Sequence, residues 1–160
     1  TFDPSSVCVC LVCRVVFRHR RQYISEKGIG PILRACLTAA TSLYSALNDS
    51  STFRPIIAPE LDIVGYFPVP EQVQPSTSAI SELSGRIFEE GMNRKGDGFY
   101  ASLFKMDSGK LNRIYPDITI DSKQTTVLRS VLMKPEHESF IPELMDRLSD
   151  SYHQIVSGKG

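Results

Sequence analysis

Two short apolar runs constrain this chain more than anything else in it: residues 61–67, Leu-Asp-Ile-Val-Gly-Tyr-Phe, and residues 127–133, Val-Leu-Arg-Ser-Val-Leu-Met. Both are short and rich in branched and aromatic side chains, so both read as strands. Ile63, Val64, Tyr66 and Phe67 make the first nearly continuous in apolar character, which implies burial on both faces. The second carries a charge at its centre. By strand alternation Val127, Arg129, Val131 and Met133 share one face, and Leu128, Ser130 and Leu132 share the other. A guanidinium on an apolar strand face needs a partner, because an unpaired buried charge costs on the order of several kcal/mol. Two partners satisfy it: an acid of this chain, or the carboxylate of a ligand, gripped by the arginine fork through two parallel hydrogen bonds.

The segments between these runs supply what would cover them. Gly30-Pro31 opens a helix with proline near its first position, and Ile32, Leu33, Cys36, Leu37, Ala40, Leu43, Tyr44 and Leu47 follow at helical spacing up to the stop at residues 48–51. Cys36 lies inside that stripe and reads as a small buried hydrophobe. A further strand is expected over 53–58. Pro68, Pro70 and Pro75 then force an extended connector. Ser76, Thr77 or Ser78 caps the next helix, which carries Ile80, Leu83, Ile87, Phe88 and Met92 on one face and ends among Gly91, Gly96 and Gly98. Residues 99–106 and 111–120 are predicted to form a hairpin about Asp107-Ser108-Gly109-Lys110. A last helix follows Pro135-Glu136, with Phe140, Ile141, Leu144, Met145, Leu148, Tyr152, Ile155 and Val156 as its stripe and Pro142 in its first turn. That order predicts an α+β fold, an antiparallel or mixed sheet with helices packed on it.

The chain has 160 residues, enough for one compact domain with a real core. Its net charge of zero gives no signal for nucleic acid or acidic membrane. The balance hides an asymmetry, since residues 1–34 hold six Arg and Lys against two acids. The same region carries Cys8, Cys10 and Cys13, with His19 and Cys36 as the nearest further ligands, but the spacing has no matching second half, and no metal site is expected. The apolar run 7–17 contains Arg14 and falls short of the roughly 20 residues that span a bilayer. The missing initiator Met and the change of composition make residues 1–25 a segment of uncertain origin, expected to be poorly ordered, ahead of a domain over 26–160.

No glycine-rich dinucleotide fingerprint, phosphate loop, His-Glu-x-x-His or Gly-x-Ser-x-Gly is present. His137 and His153 fall about four turns apart on the last helix, too far to share a metal or a proton, and read as surface or capping residues. Arg129 remains the one candidate site residue.

Residues 127–137, Val-Leu-Arg-Ser-Val-Leu-Met-Lys-Pro-Glu-His, preceded by residues 59–67, Pro-Glu-Leu-Asp-Ile-Val-Gly-Tyr-Phe, and followed by a terminal helix, resemble the carboxyl-terminal part of the pyridoxal phosphate-dependent amino acid decarboxylases. The resemblance is to the glutamate, tyrosine and aromatic amino acid group and covers roughly residues 28–158. It implies the small α+β domain of a fold type I enzyme, preceded by a connecting helix. It implies a site in which Arg129 binds the substrate α-carboxylate and helps orient the scissile bond against the cofactor ring. Lys134 stands where part of the family has Asn before the proline. The family's Schiff-base lysine lies in a Ser-x-His-Lys motif, and this chain has no His-Lys dipeptide: Lys27, Lys95, Lys105, Lys110, Lys123, Lys134 and Lys159 all fall in other contexts. The resemblance therefore implies pyridoxal phosphate in the parent enzyme, with no covalent or catalytic residue supplied by this chain.

Two other readings stand beside that one: the small domain of an aminotransferase or another lyase on the same scaffold, and a non-catalytic ligand-binding or dimerisation module in which Arg129 pairs internally. The family implies a small amino acid as substrate, a cytoplasmic homodimer as parent, and neither nucleic acid nor membrane as partner.

Overall fold

The computed structural model describes residues 29–71, 74–96 and 98–158. The chain divides into two compact units, Thr1–Arg34 and Ala35–Gly160, and of the first only residues 29–34 are described. The expected boundary near residue 25 and the three clustered cysteines lie outside the described residues.

Helix α1, Ile29–Asn48, comes first, with strands β1, Phe53–Pro55, and β2, Ile63–Pro68, after it. Helix α2, Thr77–Asn93, leads to strand β3, Ser102–Asp107, and directly into a short helix α3, Ser108–Ile114. Strand β4, Gln124–Val131, and helix α4, His137–Val156, complete the order. The strands form one sheet in the order β1-β2-β4-β3, antiparallel at every pairing. β4 is thus inserted between β2 and β3, and α2 carries the chain across it from one neighbour to the other. The architecture is α+β, with four helices among the described residues packed on a four-stranded antiparallel sheet.

Residues 63–67 of the first opening run and 127–131 of the second lie in the two central strands, while Leu61, Asp62, Leu132 and Met133 fall outside them. Pairing sets Tyr66 against Leu128 and Val64 against Ser130. Those residues enter the larger core with Ala39, Ala40, Leu43 and Leu47 of α1, Leu83 and Ile87 of α2, and Ile141, Leu144, Leu148 and Tyr152 of α4. Cys36 is buried in the stripe of α1, as the spacing predicts. A second, smaller core gathers Phe67, Ile80, Leu111, Ile118 and Val127. Full burial of side chains this size contributes about 1.5–3 kcal/mol each, so the two central strands are the thermodynamic centre of the fold.

The predicted hairpin is not formed. Asp107 accepts a hydrogen bond from the backbone N–H of Lys110 at 3.1 Å, which caps a helix where a turn was expected. Leu111 and Tyr115 then stand four residues apart and turn toward the second core, a helical and not an alternating pattern. Pro116 follows the end of α3, and β3 pairs with β4 in place of residues 111–120. Residues 99–101 stay outside β3 because Phe99 packs its ring over Gly91: a Cβ on that glycine would lie 2.6 Å from Phe99 Cζ. Ser76 caps α2, its side chain accepting from Ala79 N at 3.3 Å. α4 starts at His137, five residues ahead of Pro142, so that proline lies in the second turn and not the first.

Candidate functional site

Arg129 is held by its strand. It pairs across the sheet with Gly65 on one side and Ser102 on the other. Both neighbours are small. Gly65 is itself confined, since a Cβ there would approach Ile56 Cδ1 to 3.1 Å. Arg129 is half-buried, and its Nε is shut off from solvent with no hydrogen-bond partner. Among the described residues it forms no ion pair: the salt bridges there join Arg54 to Asp117, Arg94 to Glu90 and Arg147 to Glu143. An acid of this chain, one of the two partners open from the sequence, is therefore not supplied by the described residues.

What lies beside Arg129 is a cavity of about 380 Å³. Ser130, Val131, Leu132 and Met133 continue its wall along the end of β4, Tyr100 and Ser102 close one side, and His137, Phe140 and Leu144 of α4 close the other. Leu132 and Leu144 are buried at 4% exposure each, while Tyr100 and Met133 stand open at the rim at 75% and 66%. The described residues of the lining include no Asp, Glu or Lys, and Arg129 is the fixed charge among them.

The loop that carries Tyr100 is anchored on both sides. Phe99 N donates to Gly91 O at 3.2 Å, and Arg147 Nη1 of α4 donates to Gly98 O at 2.5 Å. Arg147 also holds Glu143 and lies over the Phe140 ring, 5.5 Å from its centroid. Beneath the cavity Tyr66 Oη and Ser130 Oγ share a hydrogen bond of 3.0 Å within the core. Burial pushes the Tyr66 phenol up to about 12, only partly offset by that bond.

His137 was expected on the surface or as a cap. Its ring instead lines the cavity, and its Nδ1 is shut off from solvent with no partner. The five-residue link between the end of β4 and the start of α4 returns the chain immediately, which brings His137 to the cavity that Arg129 also lines. His153 is exposed, in edge contact with Tyr152, as expected of a surface residue. Tyr100 and Ser102 carry no motif and are found only through the strand register.

The described residues that line the cavity include no lysine, and so do not fit covalently held pyridoxal phosphate. The donor set suits an anion of modest size. Among the described residues there is no cluster of metal-ligating side chains, and no helix is long and apolar enough to cross a membrane.

No protein-family model and no curated protein matches the chain. Solved structures do match, among them the crystal structure of the glutamate decarboxylase domain of diaminobutyrate-pyruvate transaminase and L-2,4-diaminobutyrate decarboxylase from Vibrio parahaemolyticus. The identity there is 16% and the TM-score 0.49, over 79% of this chain and 24% of that one. The chain thus spans about a quarter of the length of that structure.

Proposed function

We propose that the chain is the carboxyl-terminal, carboxylate-gripping part of a pyridoxal phosphate-dependent amino acid decarboxylase. The observation that carries the proposal is the half-buried Arg129, which lines a small cavity and has no acid partner among the described residues. A guanidinium withdrawn from water without a counter-charge is unfavourable. A bound carboxylate supplies that counter-charge and adds charge-assisted hydrogen bonds. The order of motifs along the chain, Pro59 to Phe67 and then Val127 to His137, supports the decarboxylase as the enzyme to which the site belongs.

In this reading Arg129 takes the substrate carboxylate through its fork and fixes its plane. Leu132, Phe140 and Leu144 keep water from the far side, which strengthens the ion pair by lowering the local dielectric. The cofactor, which supplies the electron sink for loss of carbon dioxide, is held by residues other than the described ones, and the parent enzyme is a cytoplasmic homodimer.

In the parent enzyme, Arg129→Gln is expected to raise the KM for the amino acid and to slow carbon dioxide release. Arg129→Lys should recover little of either, since an ammonium lacks the fork. Kinetics indistinguishable from the unaltered enzyme would remove Arg129 from the site.

A further inference from the structure

The cavity that Arg129 lines has walls from separate parts of the fold: Tyr100 lies on the loop between α2 and β3, and His137, Phe140 and Leu144 lie on α4. Within that loop Phe99 and Ala101 are buried in the larger core, at 5% and 2% exposure, while Tyr100 between them is turned out to the rim. Phe99 also fastens the loop to α2, through its ring over Gly91 and its N–H to Gly91 O. Among the described residues the hydrogen bond that joins this loop to α4 comes from Arg147. Positions 137, 140, 144 and 147 recur at three- and four-residue spacing and share one face of that helix. The first three line the cavity, and Arg147 is the next position along the face.

The Arg147 guanidinium is engaged three ways. Nη1 donates to Gly98 O at 2.5 Å, Nη2 pairs with Glu143, and Cζ lies 5.5 Å from the centroid of the Phe140 ring. One planar cation thus touches the backbone of the Tyr100 loop and a lining ring of α4 together, which a point-like ammonium cannot do. Its charge is answered by Glu143, so it is not a second grip for a ligand carboxylate. We infer that Arg147 is a positioning residue of this site: it clamps the Tyr100 loop to α4, so that Tyr100 and Phe140 stand as fixed walls for the stem of a carboxylate ligand. The inference rests on the proposed function, in which Arg129 takes the carboxylate, and adds how the rest of that ligand is held. Walls already in place need no ordering when the ligand arrives. With the clamp released, the ligand has to order the loop itself, so contact with an apolar stem weakens while the grip on the carboxylate stays.

The test is a titration of the 160-residue chain with propionate and with hexanoate, which share a carboxylate and differ by three methylenes. Hexanoate is expected to bind about tenfold more tightly, the gain from burying part of the longer stem. Arg147→Met keeps the length of the side chain and its contact with Phe140 but removes both hydrogen bonds, and the ratio should fall to about threefold or less. Arg147→Lys keeps the charge for folding but lacks the fork, and the ratio should fall there too. Tyr100→Ala should lower it as far, and Arg147→Met added to Tyr100→Ala should lower it no further, because Arg147 acts through that wall. A general loosening of the fold weakens both acids alike and leaves the ratio where it was, so the ratio separates positioning from stability; thermal unfolding shows which variants keep the fold. A ratio near one in the unaltered chain, an unaltered ratio in a folded Arg147 variant, or losses from Arg147→Met and Tyr100→Ala that simply add overturns the clamp while leaving Arg129 in place. Failure of the unaltered chain to bind propionate, or propionate binding that survives Arg129→Gln, overturns the reading of Arg129 and this inference with it.

Discussion

The hydrogen bond between Tyr66 and Ser130 ties the two central strands together directly under the cavity, and it can be measured by a double-mutant cycle. Tyr66 is fully buried and Ser130 is 4% exposed, with 3.0 Å between their hydroxyl oxygens. Tyr66→Phe keeps the ring and its edge contact with Phe53, 6.1 Å between centroids, and removes only the hydroxyl. The Ser130 hydroxyl left behind borders the cavity, where water reaches it, so the loss should be about 1 kcal/mol. Ser130→Ala strands the phenolic hydroxyl of Tyr66 in a dry core, and about 2 kcal/mol is expected. The double variant loses one neutral pair and strands nothing, about 1 kcal/mol, which gives a coupling of about 2 kcal/mol. Urea unfolding followed by far-ultraviolet circular dichroism measures all four states, provided the slopes agree. Additive losses, within about 0.5 kcal/mol, would refute the claim that this pair is a mutually dependent contact.

The Tyr66 phenol should also make the fold sensitive to alkali. An unfolded tyrosine ionises near pH 10, whereas Tyr66 holds its proton to about 12, so stability is full below pH 10 and falls between 10 and 12 by up to about 2–3 kcal/mol. Tyr66→Phe should remove that decline, and an unchanged alkaline profile would show that the phenol is not buried as described. Two glycines of α2 should respond in opposite directions. Gly85 has nothing within 4 Å of an added Cβ, so Gly85→Ala should stabilise by about 0.5–1 kcal/mol through helix propensity. Gly91→Ala should destabilise by about 1–3 kcal/mol, because the Phe99 ring has to move; equal effects in thermal melts would contradict the packing. Hydrogen bonds from Ser78 and Thr77 hold the Asp121 carboxyl well below the usual carboxylate range. The unfolded chain takes up a proton near pH 4 while the folded one does not, so this contribution is present above about pH 4 and is lost as the pH falls below it. Asp121→Ala should lower stability at neutral pH and flatten its acid slope, and an unaltered slope would refute the role.

Much of the framework is legible from residues alone. The buried positions Cys36, Ala40, Leu43 and Leu47 of α1, Val64, Tyr66 and Phe67 of β2 and Val127 and Leu128 of β4 follow from periodicity, because burial imposes it, whereas Ile32, Leu33, Leu37, Ile63 and Met133, read into the same runs, are exposed. The helix α3 was masked by its own composition: residues 108–114 contain Gly109 and are followed by Pro116, which read as turn and strand breaker, while the cap from Asp107 that decides the matter is a single side-chain contact. Residue types alone leave the site half visible. Arg129 betrays itself as a charge in an apolar run, but Ser102 and Gly65 become its neighbours only through a pairing register that joins residues far apart in the chain. His137 looked like a surface residue because a histidine beginning a helix usually is one, and only the tight return from β4 to α4 brings it to the cavity. The orphaned nitrogens of Arg129 and His137 have no sequence signature at all, since an absence of partners is a property of packing.

The most direct test of the account is the Arg129 Nε–H resonance in the nitrogen-labelled chain, followed while propionate is added to tens of millimolar. A carboxylate-gripping Arg129 predicts a saturable shift of that resonance, with slowed exchange of its proton with water and no comparable shift at Arg54 or Arg147, which already hold acids. An Arg129 resonance that stays where it began as the carboxylate is added, or that moves no more than those of the other arginines, would contradict it.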